Sequence, residues 1–334
     1  MISRKDAKAQ RRKEVMDEPE IKIKLGISSC LLGEKVRYDG GHRCERFITD
    51  TLGQFVEFVP VCPEVACGLG VPREAMRLVG SPEAPRLVTW RTGRDLTEAM
   101  AACARRLVRD LEGEELCGFI FKSGSPSSGM ERVKVYGGKG VPVSKGLGIF
   151  ARIFMAHFPL LPVEDEGRLH DPKLRENFIE AIFVLKRWRM VLKEKPGRGR
   201  LVDFHTRHKL MLLAHSPVHY RALGQLVAGS PEAPITELYA AYQTQLLGAL
   251  RLKTTVKKNA DVLYHLMGYF KKQLSPDEKQ ELLEIIDHYR RENVPLIVPV
   301  TLINHYVRKY DQPYLQSQYY LNPHPLELKL RNHV

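Results

Sequence analysis

Cys117-Gly-Phe-Ile-Phe-Lys-Ser-Gly-Ser-Pro-Ser-Ser-Gly-Met130 decides how the first half of this chain folds. Cys117 to Phe121 is an apolar run that reads as a buried strand, and it breaks at once into Ser, Gly and Pro. Gly124, Pro126 and Gly129 each free or restrict the backbone as a tight, ligand-facing turn requires. A buried strand emptying into such a loop is where α/β proteins place their chemistry. Two earlier segments have the same shape: 21–29 runs into Cys30-Leu-Leu-Gly33, and 55–61 runs into Cys62-Pro-Glu64. Three strand ends, two bearing a cysteine and one bearing serines, predict one shared site at the edge of one sheet. Helical patterns at 46–55, 96–111 and 146–158 alternate with these strands, which predicts an α/β domain with a mostly parallel sheet. A hairpin is expected from 76–79 and 86–90, and a turn at 137–141.

Beyond Pro159 the pattern becomes all-α. Helices are expected over 172–195, 201–215, 219–227, 235–252, 256–274, 275–291 and 298–308. Ser275-Pro-Asp-Glu278 reads as a capping box with Pro at the first helical position. The segment 313–334, rich in Tyr, Asn, Pro and His, is expected to wrap over a surface. A length of 334 residues suits two cores. The expected organisation is a basic tail over 1–20, an α/β domain over 21–163 and an all-α domain over 164–334.

The chain carries a net charge of +13. Such a balance favours a polyanionic partner, nucleic acid first, with plain solubility as the alternative. The basic residues cluster. Between 186 and 209 lie Lys186, Arg187, Arg189, Lys193, Lys195, Arg198, Arg200, Arg207 and Lys209, against only Glu194 and Asp203. That density suits a surface that tracks phosphates. Arg251, Lys253, Lys257 and Lys258 form a second cluster. No apolar run approaches the roughly 20 residues of a membrane span. Residues 1–13 lack the apolar core of a secretory signal, so a cytoplasmic, reducing setting without disulfides is expected.

Of the six cysteines, Cys103 falls in a helical pattern and Cys117 in a strand, as core residues do. Cys30 and Cys62 begin loops, the better position for ligands. Two thiolates do not make a zinc site, although His42 and Cys67 are available as additions. An iron–sulfur cluster with one iron open to substrate is chemically sensible. Glu64 could act as a general base; a loop carboxylate paired with Arg73 is the plainer alternative. Ser123, Ser125, Ser127 and Ser128 could hold a small anion or a base edge, or could simply form a turn. His205, His208, His215 and His219 have spacings that would suit a metal, but no carboxylate motif accompanies them, so phosphate contact or helix packing is the better reading. Trp188, Tyr220, Tyr264 and Tyr269 could stack bases or fill the core.

Taken together, Ser28-Ser-Cys-Leu-Leu-Gly33, Val36-Arg-Tyr-Asp-Gly40, Val61-Cys-Pro-Glu-Val65, Gly68-Leu-Gly-Val-Pro-Arg-Glu74 and the Lys122 to Gly129 loop resemble the thiouracil desulfidase family. The segment 158–169 resembles that family's closing segment. The second half resembles the helical domain fused to it in bacterial RNA 4-thiouridine desulfidases, through 199–209, Ala214-His-Ser-Pro217 and Val294-Pro-Leu-Ile-Val-Pro299. The resemblance implies a [4Fe–4S] cluster held by three cysteines, and conversion of 4-thiouridine in tRNA to uridine without net redox change. It maps two ligands onto Cys30 and Cys62, and a proton-handling role onto Glu64. A serine that orients substrate or water maps onto Ser125, with Ser123 next. The helical domain would grip RNA through Lys186, Arg187, Arg189, Arg198, Arg200, Arg207 and Lys209. The alternatives are an RNA-binding protein without catalysis and a desulfidase of free thiolated bases. No membrane and no protein partner is implied. One departure matters: Ser128 stands where the family has its third cysteine. A serine oxygen is a harder, poorer ligand. A lost or labile cluster is therefore expected, with weak ligation by Ser128 or substitution by Cys67 or Cys44 as the other outcomes.

Overall fold

A computed structural model describes residues 22–137, 140–229 and 234–333. The basic tail expected over 1–20 lies outside the described residues. Strands β1 (Ile23–Ser28), β2 (Val56–Val61), β5 (Phe119–Phe121) and β8 (Val163–Asp165) form a four-stranded sheet in the order β2-β1-β5-β8. All three pairings are parallel, and a parallel sheet is stable only when both faces are covered. Side chains alternate accordingly. Phe119 and Phe121 pack with Phe150 and Phe154 on one face, and Ile120 joins Leu25, Ile27 and Ile182 on the other. The first face is covered by α2 (Thr97–Asp110) and α3 (Ile149–His157); α1 (Pro63–Ala66) is a single turn after β2.

The mostly parallel α/β arrangement expected from the sequence is present, divided between two sheets. The other four strands, β3 (Met76–Gly80), β4 (Pro85–Thr89), β6 (Val133–Tyr136) and β7 (Pro142–Gly146), make a second, mixed sheet in the order β4-β3-β6-β7. The expected β3–β4 hairpin is present. Of the turn expected at 137–141, residues 138–139 lie outside the described residues; the Gly137 amide donates to the Val141 carbonyl at 3.0 Å, and β6 pairs antiparallel with β7, both strands too short to show a clear period. The helix expected over 46–55 is instead a π-helical turn, Phe47–Thr51, followed by a 3-10 turn, Leu52–Gln54. Two threonines weaken the helix, and at Gly53 a Cβ would sit 3.3 Å from the Ile48 carbonyl.

Between Pro172 and Gln316 the regular elements among the described residues are all helices: α4 (Pro172–Lys193), α5 (Arg198–His215), α6 (Pro217–Ala228), α7 (Ile235–Leu250), α8 (Val256–Gly268), α9 (Pro276–Arg290), α10 (Ile297–Lys309) and the single turn α11 (Pro313–Gln316). The helix expected to reach Leu274 ends at Gly268. The capping box at Ser275 and Glu278 is formed. The last segment does wrap: Arg331 is buried and ion-paired with Glu176 at 3.0 Å and Glu180 at 2.7 Å. Burial pushes Glu176 up to about 7. Burial acts on Glu180 too, but its hydrogen bond to His215 and the Arg331 charge hold it down, at about 2. The helix α4 lies against β1, so the sheet's second face and the helical bundle share one continuous core. No described helix is long and apolar enough to cross a membrane.

Candidate active site at the ends of three parallel strands

The three loops do meet. β1 ends in one 3-10 turn, Ser29–Leu32, that carries Cys30 and is closed by Gly33 at φ 93°. β2 ends at Cys62, which caps α1 so that Pro63 occupies the first helical position and Glu64 the second. β5 ends in the serine loop, anchored to β1 by the Lys122 amide donating to Ser28 Oγ at 2.9 Å. Cys30, Cys62, Glu64, Ser123, Ser125 and Ser128 line one cavity of about 360 Å³. Two glycines allow the loop to fold so tightly. A Cβ at Gly129 would lie 2.3 Å from Val133, and one at Gly148 would lie 2.3 Å from the Ser127 carbonyl.

Glu64 is buried. Its Oε1 accepts from Ser127 Oγ, and its Oε2 accepts from Cys62 Sγ at 3.4 Å. The suggested pairing with Arg73 does not form: that guanidinium donates to the Val36 and Gly70 carbonyls. Ser127 Oγ lies 3.0 Å from Ser125 Oγ and 3.4 Å from Ser128 Oγ. Ser125 Oγ also accepts from the amides of Ser127 and Ser128. Ser123 belongs to a different set. Its amide and hydroxyl both donate to Glu166, whose carboxylate also pairs with Lys122. Sequence reasoning passed over Ser127 as the partner of Glu64, and Lys122 and Glu166 as the clamp on Ser123. The signal was there, because Lys122 opens the serine motif and Glu166 stands in the closing segment.

Burial pushes the Cys30 thiol up to about 11, with Lys122 opposing. Burial, followed by the Glu64 charge, pushes Cys62 up to about 12. A soft cation would reverse this by binding the thiolates. Cys30, Cys62 and Ser128 all line this cavity; the two thiols suit an iron–sulfur cluster in chemistry, and the Ser128 hydroxyl is a harder donor. Cys44 and Cys67 do not line the cavity. Cys44 is exposed, and Cys67 Sγ lies 3.6 Å from Met100 Sδ. Among the described residues no group of three or more His, Cys, Asp or Glu is arranged to hold a metal.

The basic residues do not form one patch. Lys186 donates to the Lys22 carbonyl, and Lys193 pairs with Glu115, with Arg189 nearby, so these line the seam with the α/β half. Arg187 lies over Tyr319, and Lys209 over Tyr314, which stacks on Tyr269. Arg200 pairs with Glu194, and Arg207 with Asp203. Arg198 lines a groove with Gln225. The histidines are packing residues. His205 meets Tyr242, His208 the Phe204 carbonyl, His215 the Leu252 carbonyl and Glu180, and His219 meets Ser216. Trp188 is core, stacked on Tyr242.

Residues 25–166 match a family model described as 2-thiouracil desulfurase, and residues 209–325 match one described as a protein of unknown function, DUF1722. YbgA of Escherichia coli (strain K12), an uncharacterized protein, is 34% identical over 152 residues, which is 45% of this chain and 90% of YbgA. The chain belongs to the YbgA family. The cavity lies wholly within the residues matched by the 2-thiouracil desulfurase model. Among solved structures, the [4Fe-4S]-dependent thiouracil desulfidase TudS is 30% identical over 45% of this chain and 95% of its own, with a TM-score of 0.37.

Proposed function

We propose that this chain is a desulfidase that converts 4-thiouridine in tRNA to uridine at a [4Fe–4S] cluster. The observation that carries the reading is the gathering of Cys30, Cys62, Ser128 and Glu64 around one cavity in a 2-thiouracil desulfurase domain. Cys30 and Cys62 would hold the cluster, with Ser128 at the third point. When bound, the cluster supplies an iron that accepts sulfur and makes it a better leaving group. The exchange is hydrolytic: the C–S bond breaks, a C–O bond to water forms, and water's two protons leave with the sulfide. Glu64 takes the proton from water at the edge of the cavity. Ser127 holds Oε1 of that carboxylate, and Ser125 orders the loop amides. Lys122, on the same cavity, keeps the Ser123 end of the loop closed through Glu166. RNA would lie against Arg207, Lys209, Tyr314 and Tyr319, with Arg187 behind them, its guanidinium donating to the Pro323 carbonyl and lying over Tyr319.

Because a serine oxygen is a poor ligand for iron, the cluster of this chain is labile. The test is iron and sulfide analysis after anaerobic reconstitution, followed by nucleoside analysis of 4-thiouridine-containing tRNA. Ser128→Cys should raise retained iron and turnover together; no gain in iron would count against the ligand assignment. One observation favours a second reading, desulfidation of free thiolated bases: every residue lining the cavity lies between 28 and 128, none in the helical half. Charge reversal at Arg207 and Lys209 separates the two. It should cripple turnover of tRNA and flatten its salt dependence, and leave free 2-thiouracil untouched.

A further inference from the structure

The mouth of the cavity is built differently from its floor. The floor is polar: cysteines, serines and Glu64. The mouth carries two aromatic rings that the mechanism does not use. Trp90 follows β4 and is 47% exposed; Tyr38 lies in the loop after Cys30 and is 45% exposed; both line the cavity. Large apolar side chains left open beside a cavity mark a binding surface. Both are held in place from behind. The Trp90 amide donates to the Ala75 carbonyl at 2.8 Å, and the Arg73 amide donates to the Tyr38 carbonyl at 2.8 Å, so one short segment, 73–75, clasps both. The Arg77 guanidinium lies 4.5 Å from the Trp90 ring, and Tyr136 meets that ring edge-on at 5.4 Å. Arg73 lines the same opening, and its Nε has no hydrogen-bond partner among the described residues.

We propose that Trp90 and Tyr38 form a stacking rim that takes the flat ring of a thiolated pyrimidine as it enters the cavity, so that affinity for the base is set at the mouth and chemistry at the floor. The proposal rests on the desulfidase reading for the identity of the base. Stacking suits this occupant because every base offers a π-face, and a base gains roughly ten- to hundredfold in affinity from one aromatic partner. A ring-on-ring contact grips the base without touching the sulfur, which leaves the thiocarbonyl directed inward. The second sheet acquires a purpose from this: β3 and β4 hold the rim over the ends of β1, β2 and β5.

The test uses the full chain and needs no turnover. Equilibrium dialysis with 4-thiouridine should show Trp90→Ala weakening binding ten- to hundredfold and Trp90→Phe restoring most of it, at unchanged iron content. Near-ultraviolet irradiation of bound 4-thiouridine should cross-link it to peptides containing Trp90 or Tyr38. In the reconstituted enzyme the same Trp90→Ala change should raise KM and leave kcat nearly constant. Wild-type affinity in Trp90→Ala, or a cross-link mapped elsewhere, would overturn the rim. Either result can be told from failure of the desulfidase reading. A chain that desulfidates normally without Trp90 sinks the rim alone. A chain that binds 4-thiouridine at Trp90 yet never releases sulfide upholds the rim and sinks the reaction.

Discussion

The serines of the loop are alike in sequence and unlike in place. Ser125 and Ser123 stood out as the candidates to orient substrate or water, yet Ser127 is the hydroxyl on Glu64. The difference lies in which way a tight turn points each side chain, and composition does not record that. Ser127→Ala would leave a buried carboxylate oxygen without its donor, a cost the fold can bear but the reaction cannot. We expect turnover of reconstituted protein to fall about 100-fold, within the range for a group that handles a proton, with circular dichroism unchanged. Ser125→Ala should act on the loop instead, because it removes the acceptor for two amides; retained iron should fall before any change in kcat per iron. Ser123→Ala leaves Lys122 and Glu166 still paired and should cost least. If Ser123→Ala proves the most damaging of the three, the roles given to the Lys122 and Glu64 sets must be exchanged.

Elements were legible where they were long or where they ended in something chemical. β1 and β2 are six-residue runs that stop at Ser28 and just before Cys62, and their ends mark the site in the sequence itself. The helices of the second half follow from caps such as Ser275 with Glu278. The second sheet was legible only at its β3–β4 hairpin, because four residues such as Val133–Tyr136 cannot show a period. The basic cluster was legible as a count and not as a surface: α4 sends Lys186 and Arg187 in different directions, one to Lys22 and one to Tyr319. At this scale the sharpest test is Gly118, where β5 begins under α4. A Cβ there would lie 2.7 Å from Ile182 Cγ2, 3.0 Å from Leu25 and 3.1 Å from the Pro162 carbonyl. Backbone and a β-branched side chain cannot step aside, so Gly118→Ala should cost about 1–3 kcal/mol by overpacking. Chemical denaturation should show this as a lower midpoint at unchanged slope. A neutral substitution would mean that α4 does not press on the sheet.

Over the whole molecule the question is whether the two halves unfold separately. The core of the parallel sheet runs without a break into the helical bundle, from Leu25 and Ile120 through Ile182 to Trp188 and Tyr242. Disturbance in one half should therefore be felt in the other. Acid supplies such a disturbance. Burial, followed by the Lys209 charge, holds His205 down at about 4, and burial holds His208 well below the ordinary imidazole range. Both rings are neutral in the folded chain and have an ordinary pKa of about 6.5 once unfolded. Between pH 6.5 and 4 the unfolded state binds more protons, so stability present above pH 6.5 is lost as pH falls through that window. His205 alone accounts for about 3 kcal/mol at most. The two tryptophans report on opposite halves, Trp90 at the cavity mouth and Trp188 buried among helices. Single-tryptophan variants, Trp188→Phe and Trp90→Phe, should lose Tm between pH 7 and pH 4.5 together, although both histidines belong to the helical half. His205→Gln should shrink the loss at both reporters. If the Trp90 signal holds its midpoint while the Trp188 signal slides, the core is divided at α4, and the helical half is a separate cooperative unit tethered to an independent catalytic domain.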